Sequence, residues 1–300
     1  MANTTYNLSK AVSLTQYQKP FINGTELVTF DWKQFTTVKR TTNMTEQTYG
    51  YWGLGSPAQV NEQQPYVYYD MGELDATTWT MVKWGYGTRF SYEIIKYNRH
   101  LPDLLKESAT RMGKGHSYLR DSRVARWFNR VATDTAYDSV AFAGTHTLAD
   151  GTSFDNNLTA ASMSFDSLWT MLDFHLYQAY NQSGQLFVSK PKWLVMHPAL
   201  MKTFEKIYRS PYESDQADWN ANTIKALWNI TPVYNPLASS TTAYTLLTED
   251  FKDDFLFWEV EAPQTFEDTD FDVDSVKIKS RQIFTLGARD FVHLVYNPGA

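Results

Sequence analysis

The chain contains no cysteine in 300 residues. That absence excludes thiol nucleophiles, zinc ribbons, iron–sulfur clusters and disulfide frameworks together. No apolar run approaches the roughly 20 residues needed to cross a bilayer. No basic segment followed by a hydrophobic run stands near the first residue, so a signal peptide is not expected. These absences predict a soluble protein made in a cytoplasm, without membrane contact. Nucleotide signatures are missing too. Gly113-Lys114-Gly115 lacks the spacing and the following Ser or Thr of a phosphate loop, and reads as a helix break. The six histidines, at positions 100, 116, 146, 175, 197 and 293, show no His-x-x-x-His spacing, and no Gly-x-Ser-x-Gly elbow is present. His146 with Asp150 could hold a metal or form an acid–base pair, but a glycine-rich turn is the simpler reading. His175 falls on an apolar helix face, where a hydrogen-bonded core histidine is the common case. The expectation is a protein that is not an enzyme and carries no cofactor, metal or catalytic residue.

What the chain has in excess is aromatic. Phe, Trp and Tyr make up 16% of it. Such side chains suit a core and interfaces, where they bury much area; a sugar-binding surface is the other use. Composition does not separate the two. The formal net charge is -6, whereas a dedicated nucleic-acid binder is usually basic. Contact with DNA is therefore expected to be local and weak. Asn3-Thr4-Thr5, Asn43-Met44-Thr45 and Asn229-Ile230-Thr231 match glycosylation triplets. Without a secretion signal they reflect an Asn/Thr-rich composition.

Residues 1–90 are rich in Thr, Asn, Gln, Tyr and Gly and poor in Leu and Ile. Residues 1–48 have few periodic apolar positions and read as an extended arm. Gly50, Gly53, Gly55 and Pro57 then break the chain. Pro65 to Tyr69 and Thr77 to Val82 have strand chemistry, so a long two-stranded excursion follows the arm. Segments this polar and this long are usually ordered by a neighbour. Helix territory spans 92–132, with Leu101, Leu104 and Leu105 on one face and Pro102 in the first turn. After a break at Gly113 and Gly115, Val124, Trp127, Phe128 and Val131 form an i, i+3, i+4, i+7 stripe. Arg120, Arg123, Arg126 and Arg130 lie on the opposite face. A loop from Gly144 to Asn157 precedes a second amphipathic helix, with Ser164 as its N-cap and Gly184 as its end. Further on come a strand at 193–196 and a helix from Pro198 to Tyr208 with Leu200, Met201, Phe204 and Ile207 facing inward. A short helix near 222–228 and a turn at Asn235-Pro236 follow. Four strand-like runs at 244–248, 255–262, 276–284 and 291–296 close the chain. This order is α+β rather than a βαβ repeat.

Acidic residues crowd 249–274. Paired carboxylates for glycoside hydrolysis, a calcium loop at Asp268-x-Asp270-x-Asp272-x-Asp274, and a plain solvated loop all fit them. The calcium pattern lacks the turn glycine and the terminal Glu of an EF-hand. The favoured reading is complementarity, in which this segment meets the basic helix region of a neighbouring copy. Trp52, Tyr66, Tyr68, Tyr69, Trp79, Trp84 and Tyr86 would make a sticky ribbon on a monomer.

This order of parts resembles the tailed-virus major capsid proteins with the Hong Kong 97-type fold. Phe90-Ser91-Tyr92-Glu93-Ile94-Ile95 resembles their passage into the spine helix. Lys192-Trp193-Leu194-Val195-Met196-His197-Pro198-Ala199-Leu200 resembles a strand–Pro–Ala–Leu–helix element of theirs. The stretches Gly144 to Leu158, Asn235-Pro236-Leu237, Phe257-Trp258-Glu259 and Ile278 to Phe284 are similar to further parts of such head proteins. The resemblance implies an N-terminal arm at 1–48 and an E-loop β-hairpin at 49–90. It implies a P-domain at 91–159 and 256–300, with its spine helix within 93–132, and an A-domain at 160–255. It implies a capsid protein that assembles into hexamers and pentamers of an icosahedral shell enclosing double-stranded DNA, located in the virion. Partners would be other copies of the chain, scaffolding, portal and decoration proteins, and packaged DNA held weakly and non-specifically. Scaffolding is expected as a separate protein or not at all. A cellular nanocompartment shell is a near neighbour of this reading. The inter-subunit contacts implied are Trp52, Tyr66, Tyr68, Tyr69, Trp79, Arg123, Arg126, Arg130, Asp268, Asp270 and Asp272. The alternative from a different class is a carbohydrate-active protein, either hydrolase or sugar-binding module.

Overall fold

The computed structural model describes residues 14–26, 30–52, 59–62, 64–66, 68, 70–178, 180, 182, 184–186, 189–212, 222–270 and 274–300, without the side chains of 14–16, 52, 269 and 270. In chain order it runs α1 (Leu14–Thr25), a 3-10 turn (Trp32–Phe35), β1 (Thr37–Arg40), β2 (Thr45–Thr48), β3 (Tyr51–Trp52), β4 (Gly72–Glu73), β5 (Thr77–Thr80) and β6 (Val82–Ser91). Next come α2 (Tyr92–Tyr97), α3 (Leu101–Asn129), β7 (Thr145–Thr147), β8 (Ser153–Asp155), α4 (Phe165–Tyr177) and β9 (Pro191–Met196). After a 3-10 turn (Pro198–Leu200) follow α5 (Met201–Arg209), α6 (Thr223–Leu227), β10 (Thr231–Tyr234), β11 (Tyr244–Thr248), α7 (Phe251–Asp254), β12 (Phe255–Asp270), β13 (Ser275–Ala288) and β14 (Leu294–Asn297).

Two four-stranded sheets organise these elements, in the orders β1-β12-β13-β6 and β10-β9-β11-β14. In the first, β12, β13 and β6 are antiparallel neighbours and β1 joins β12 in parallel. The β12–β13 hairpin is long, and its register slips between Glu259 and Gln264. Pro263 sits there; it has no N–H to give to a ladder and is tolerated at such an irregularity. Helix α3 crosses this sheet and spans about 43 Å at 1.5 Å per residue. Among the connections that join the sheets are one from β11 through α7 to β12 and one from β13 to β14. They are clamped together where Arg289 Nη2 meets Asp254 Oδ1 at 2.7 Å.

The aromatic excess is largely core. Phe35 is fully buried, with ring centroids of Phe128, Phe255, Trp193 and Phe251 5.6–6.3 Å away. The predicted stripe of Val124, Trp127, Phe128 and Val131 is buried in the same cluster.

Several expectations are corrected. The first 48 residues are not simply an extended arm. Helix α1 packs Tyr17 and Phe21 against α3, and Trp32 stacks on Phe257 while its Nε1 donates to Asp121 at 2.7 Å. Gly113 and Gly115 do not break the long helix, which runs through both. They let neighbours approach: a Cβ on Gly113 would lie 2.8 Å from the Gly24 Cα, and one on Gly115 would strike the Tyr86 hydroxyl. The first strand of the excursion is not 65–69. The described residues of that stretch are outside strands, and β5 and β4 pair instead with β2 and β3. Helix α4 stops at Tyr177, well before Gly184, which turns with φ +70° in the following loop. Leu104 and Met201, expected on buried faces, are exposed. Ser164 caps α4 through a capping box, as expected.

Candidate assembly surfaces

The ribbon of β2–β5 and β3–β4 projects between β1 and β6. Its base is fixed from inside. Trp79 is 5% exposed, packs with Met81 and Leu256, and donates Nε1 to Thr48 Oγ1 at 2.8 Å. Its outer part lacks such cover among the described residues. Tyr68 is 90% exposed and Tyr66 72%, with Tyr49, Tyr51 and Met71 also open. Apolar side chains of this size contribute about 2 kcal/mol each when taken out of water. Trp79 is thus an anchor of the ribbon, whereas Tyr66 and Tyr68 are placed to meet another molecule. The backbone of Trp52 is in β3; its side chain, and Tyr69 altogether, lie outside the described residues.

The arginines of α3 divide into different roles. Arg120 is half-buried and donates to the Thr25 carbonyl at 2.8 Å, capping the end of α1. Arg130 pairs with Asp134 at 2.7 Å. The guanidinium carbon of Arg123 lies over the Trp84 ring, 4.1 Å from its centroid, a cation–π contact. Arg126 is exposed. A cleft of about 230 Å³ opens between Trp84, Arg123, Arg126, Trp127, Asp134 and Phe284. Burial lowers the Arg123 pKa first, and the like charge of Arg126 lowers it further. The alternation of β6 marks Trp84 as a facing partner of α3 only once Val82–Ser91 is read as one strand.

Part of the acidic segment is neutralised within the chain. Glu249 meets Lys192 at 2.9 Å, Asp254 meets Arg289, Glu259 meets Arg40 at 3.4 Å, and Glu261 meets Arg281 at 2.9 Å. Asp268 stands opposite Lys277 across the β12–β13 ladder. The side chain of Asp270, and Asp272 altogether, lie outside the described residues. Among the described residues no cluster of three or more His, Asp or Glu could hold a metal ion, and no helix is long and apolar enough to cross a membrane. His146 is fully buried and pairs with Asp138 at 2.6 Å rather than with Asp150, and its ring stacks on Phe291. Asp150 accepts from Thr152, closing a local turn. The sequence reading missed the Asp138 partner because eight residues and a loop separate the two.

A 29-residue helix across a sheet with a long hairpin, a second mixed sheet and a projecting ribbon define the architecture of capsid-shell subunits. It matches the mature capsid of bacteriophage PhiM1 with a TM-score of 0.60 at 12% identity, covering 91% of this chain and 88% of that one. It matches the capsid of the cyanophage P-SCSP1u with a TM-score of 0.61 at 9% identity, covering 91% and 89%. A virus-like particle from Pyrococcus furiosus is also similar, with a TM-score of 0.54 at 10% identity over 94% and 98%. The profile of the family described as "Phage capsid protein" matches residues 74–297, and the chain belongs to that family. No curated protein sequence matches it. The chain is therefore a structural protein of the virion that associates with copies of itself, and the carbohydrate-active alternative is set aside.

Proposed function

We propose that this chain is the repeating subunit of an icosahedral phage head, forming hexamers and pentamers that close around double-stranded DNA. Residues 1–48 serve as an N-terminal arm and 49–90 as an E-loop. Residues 91–159 and 256–300 act as a P-domain, with 160–255 as an A-domain. A closed shell repeats the same contacts around symmetry axes, so each subunit needs elements that reach beyond its own core. The observation that carries the reading is the ribbon: its base is anchored by buried Trp79 while Tyr66 and Tyr68 stand open to solvent. Trp52, Tyr66, Tyr68, Tyr69, Arg123, Arg126 and Arg130 are the contact residues assigned to neighbours. Asp268, Asp270 and Asp272 are the acidic ones. DNA is met weakly, consistent with a net charge of -6. Scaffolding, portal and decoration proteins are the remaining expected partners.

Light scattering on the purified chain, followed by electron microscopy of the same fractions, tests this. Megadalton particles or rings of five or six subunits are expected. A monodisperse 34.6 kDa monomer at every salt and protein concentration would contradict it.

A further inference from the structure

Three features of the α3 cleft belong together. Arg123 and Arg126 are three residues apart on one helix and so neighbours on its surface. Neither makes an ion pair with a described residue, and Asp134, which also lines the cleft, is already held by Arg130. Its cation–π contact with Trp84 holds the Arg123 guanidinium at the cleft without supplying it an anion. Two cations thus share a partly desolvated cleft with no anion assigned to them, an arrangement suited to a planar carboxylate.

The matching anion is elsewhere in the chain. Residues 41–82 contain no Lys, Arg or His and carry Glu46, Glu62, Asp70, Glu73 and Asp75. Glu46 accepts from Thr41 and Asn43. Asp70, Glu73 and Asp75 are exposed and make no ion pair with a described residue. The acidic run at 249–274, by contrast, has its described members largely engaged within the subunit. A DNA backbone is a poorer fit, because phosphate tracks use a row of cations, whereas this cleft offers two.

We propose that the cleft between Trp84 and the Arg123–Arg126 pair is a carboxylate-binding site, filled by the acidic Asp70–Asp75 stretch of the ribbon of a second copy. This rests on the shell reading and specifies one of its contacts. The Trp84 and Trp127 rings flank the two cations, and the exposed Tyr66 and Tyr68 before Asp70 extend the contact over the neighbouring surface.

The test is a charge swap in the full chain. Arg126→Glu and the triple reversal Asp70→Lys, Glu73→Lys, Asp75→Lys are made separately and together, and the assembled fraction is read by light scattering at physiological ionic strength. Far-UV circular dichroism checks that each variant folds. Like charges placed in contact cost enough that each reversal is expected to lower assembly by about tenfold or more, with recovery toward wild type when both are combined. An Arg126→Glu chain that assembles normally would overturn the site. So would failure of the combined variant to recover; loss of short-duplex DNA binding in Arg126→Glu would then point to phosphate as the ligand. A wild-type chain that never assembles would overturn the shell reading and this contact with it.

Discussion

His116 lies beneath the four-stranded sheet with its Nε2 2.7 Å from the Ser280 hydroxyl. Burial, and then the charge of Arg120, push its pKa down to about 4. His175 is pushed down to about 3 by burial and then by His293. Both take up protons in the unfolded chain near pH 6.5, before they do so in the fold. The unfolded state therefore binds more protons below that pH, and stability falls as pH drops from about 6.5 toward 4. Asp254 and Asp290 act in the opposite sense. Burial is the leading cause for each, and the Asp254 charge adds to it at Asp290; both are raised to about 6. Ionising them costs stability above that pH, and acid relieves the cost. Urea midpoints of assembly-blocked subunits at pH 7.5 and 5.0 separate the two groups. His116→Gln should flatten the acid loss, by about 2 kcal/mol between those two pH values for a shift of this size. Asp290→Asn should raise stability at pH 7.5 and steepen the acid loss. Unchanged pH slopes in both would show that these groups are not buried as described.

At the scale of elements, the close approach of α1 to α3 depends on facing glycines. Gly24 and Gly113 leave no room for a Cβ: one on Gly24 would come within 2.5 Å of the Thr110 carbonyl oxygen. In an isolated helix, Ala at 113 would be favoured by about 1 kcal/mol. Gly113→Ala should instead destabilise the subunit by about 2 kcal/mol or more, because the obstructing atoms are backbone and must move. A raised melting temperature would contradict this packing. The same pair explains why the sequence reading failed here. Glycine inside a helical pattern signals a break when only local propensity is weighed, and the partner that reverses its meaning lies far away in the chain, in α1. Periodicity served better where one element decided the outcome. Val124, Trp127, Phe128 and Val131 declared their buried face, and Ser164 its cap. Runs of β-branched and apolar residues declared the closing strands from Tyr244 onward. What pattern could not supply was pairing. Polar Thr45–Thr48 is a strand because Thr77–Thr80 lies against it, and Arg120 looked free until α1 was placed over it.

At the scale of the whole molecule, the subunit is a core with an unused exterior. The two sheets, α3 and the aromatic cluster around Phe35 bury their apolar side chains against one another, and several carboxylates of 249–274 are paired within the subunit. The ribbon tip and the Arg123–Arg126 cleft are not so matched among the described residues. Their charges are opposite, and the ribbon carries exposed aromatics that would be a liability on a permanent monomer. Mutual use of these surfaces predicts that removing the ribbon tip, by replacing residues 59–71 with a short turn, leaves a folded subunit that does not assemble. Circular dichroism and sedimentation together would read both properties.

Electron cryo-microscopy of the assembled particles tests the central claim most directly. The expected map shows rings of this subunit with each ribbon lying across a neighbour and density joining the Asp70–Asp75 stretch to Arg123 or Arg126 of that neighbour. Particles in which every ribbon folds back on its own subunit, or in which both arginines face empty solvent, would contradict the account.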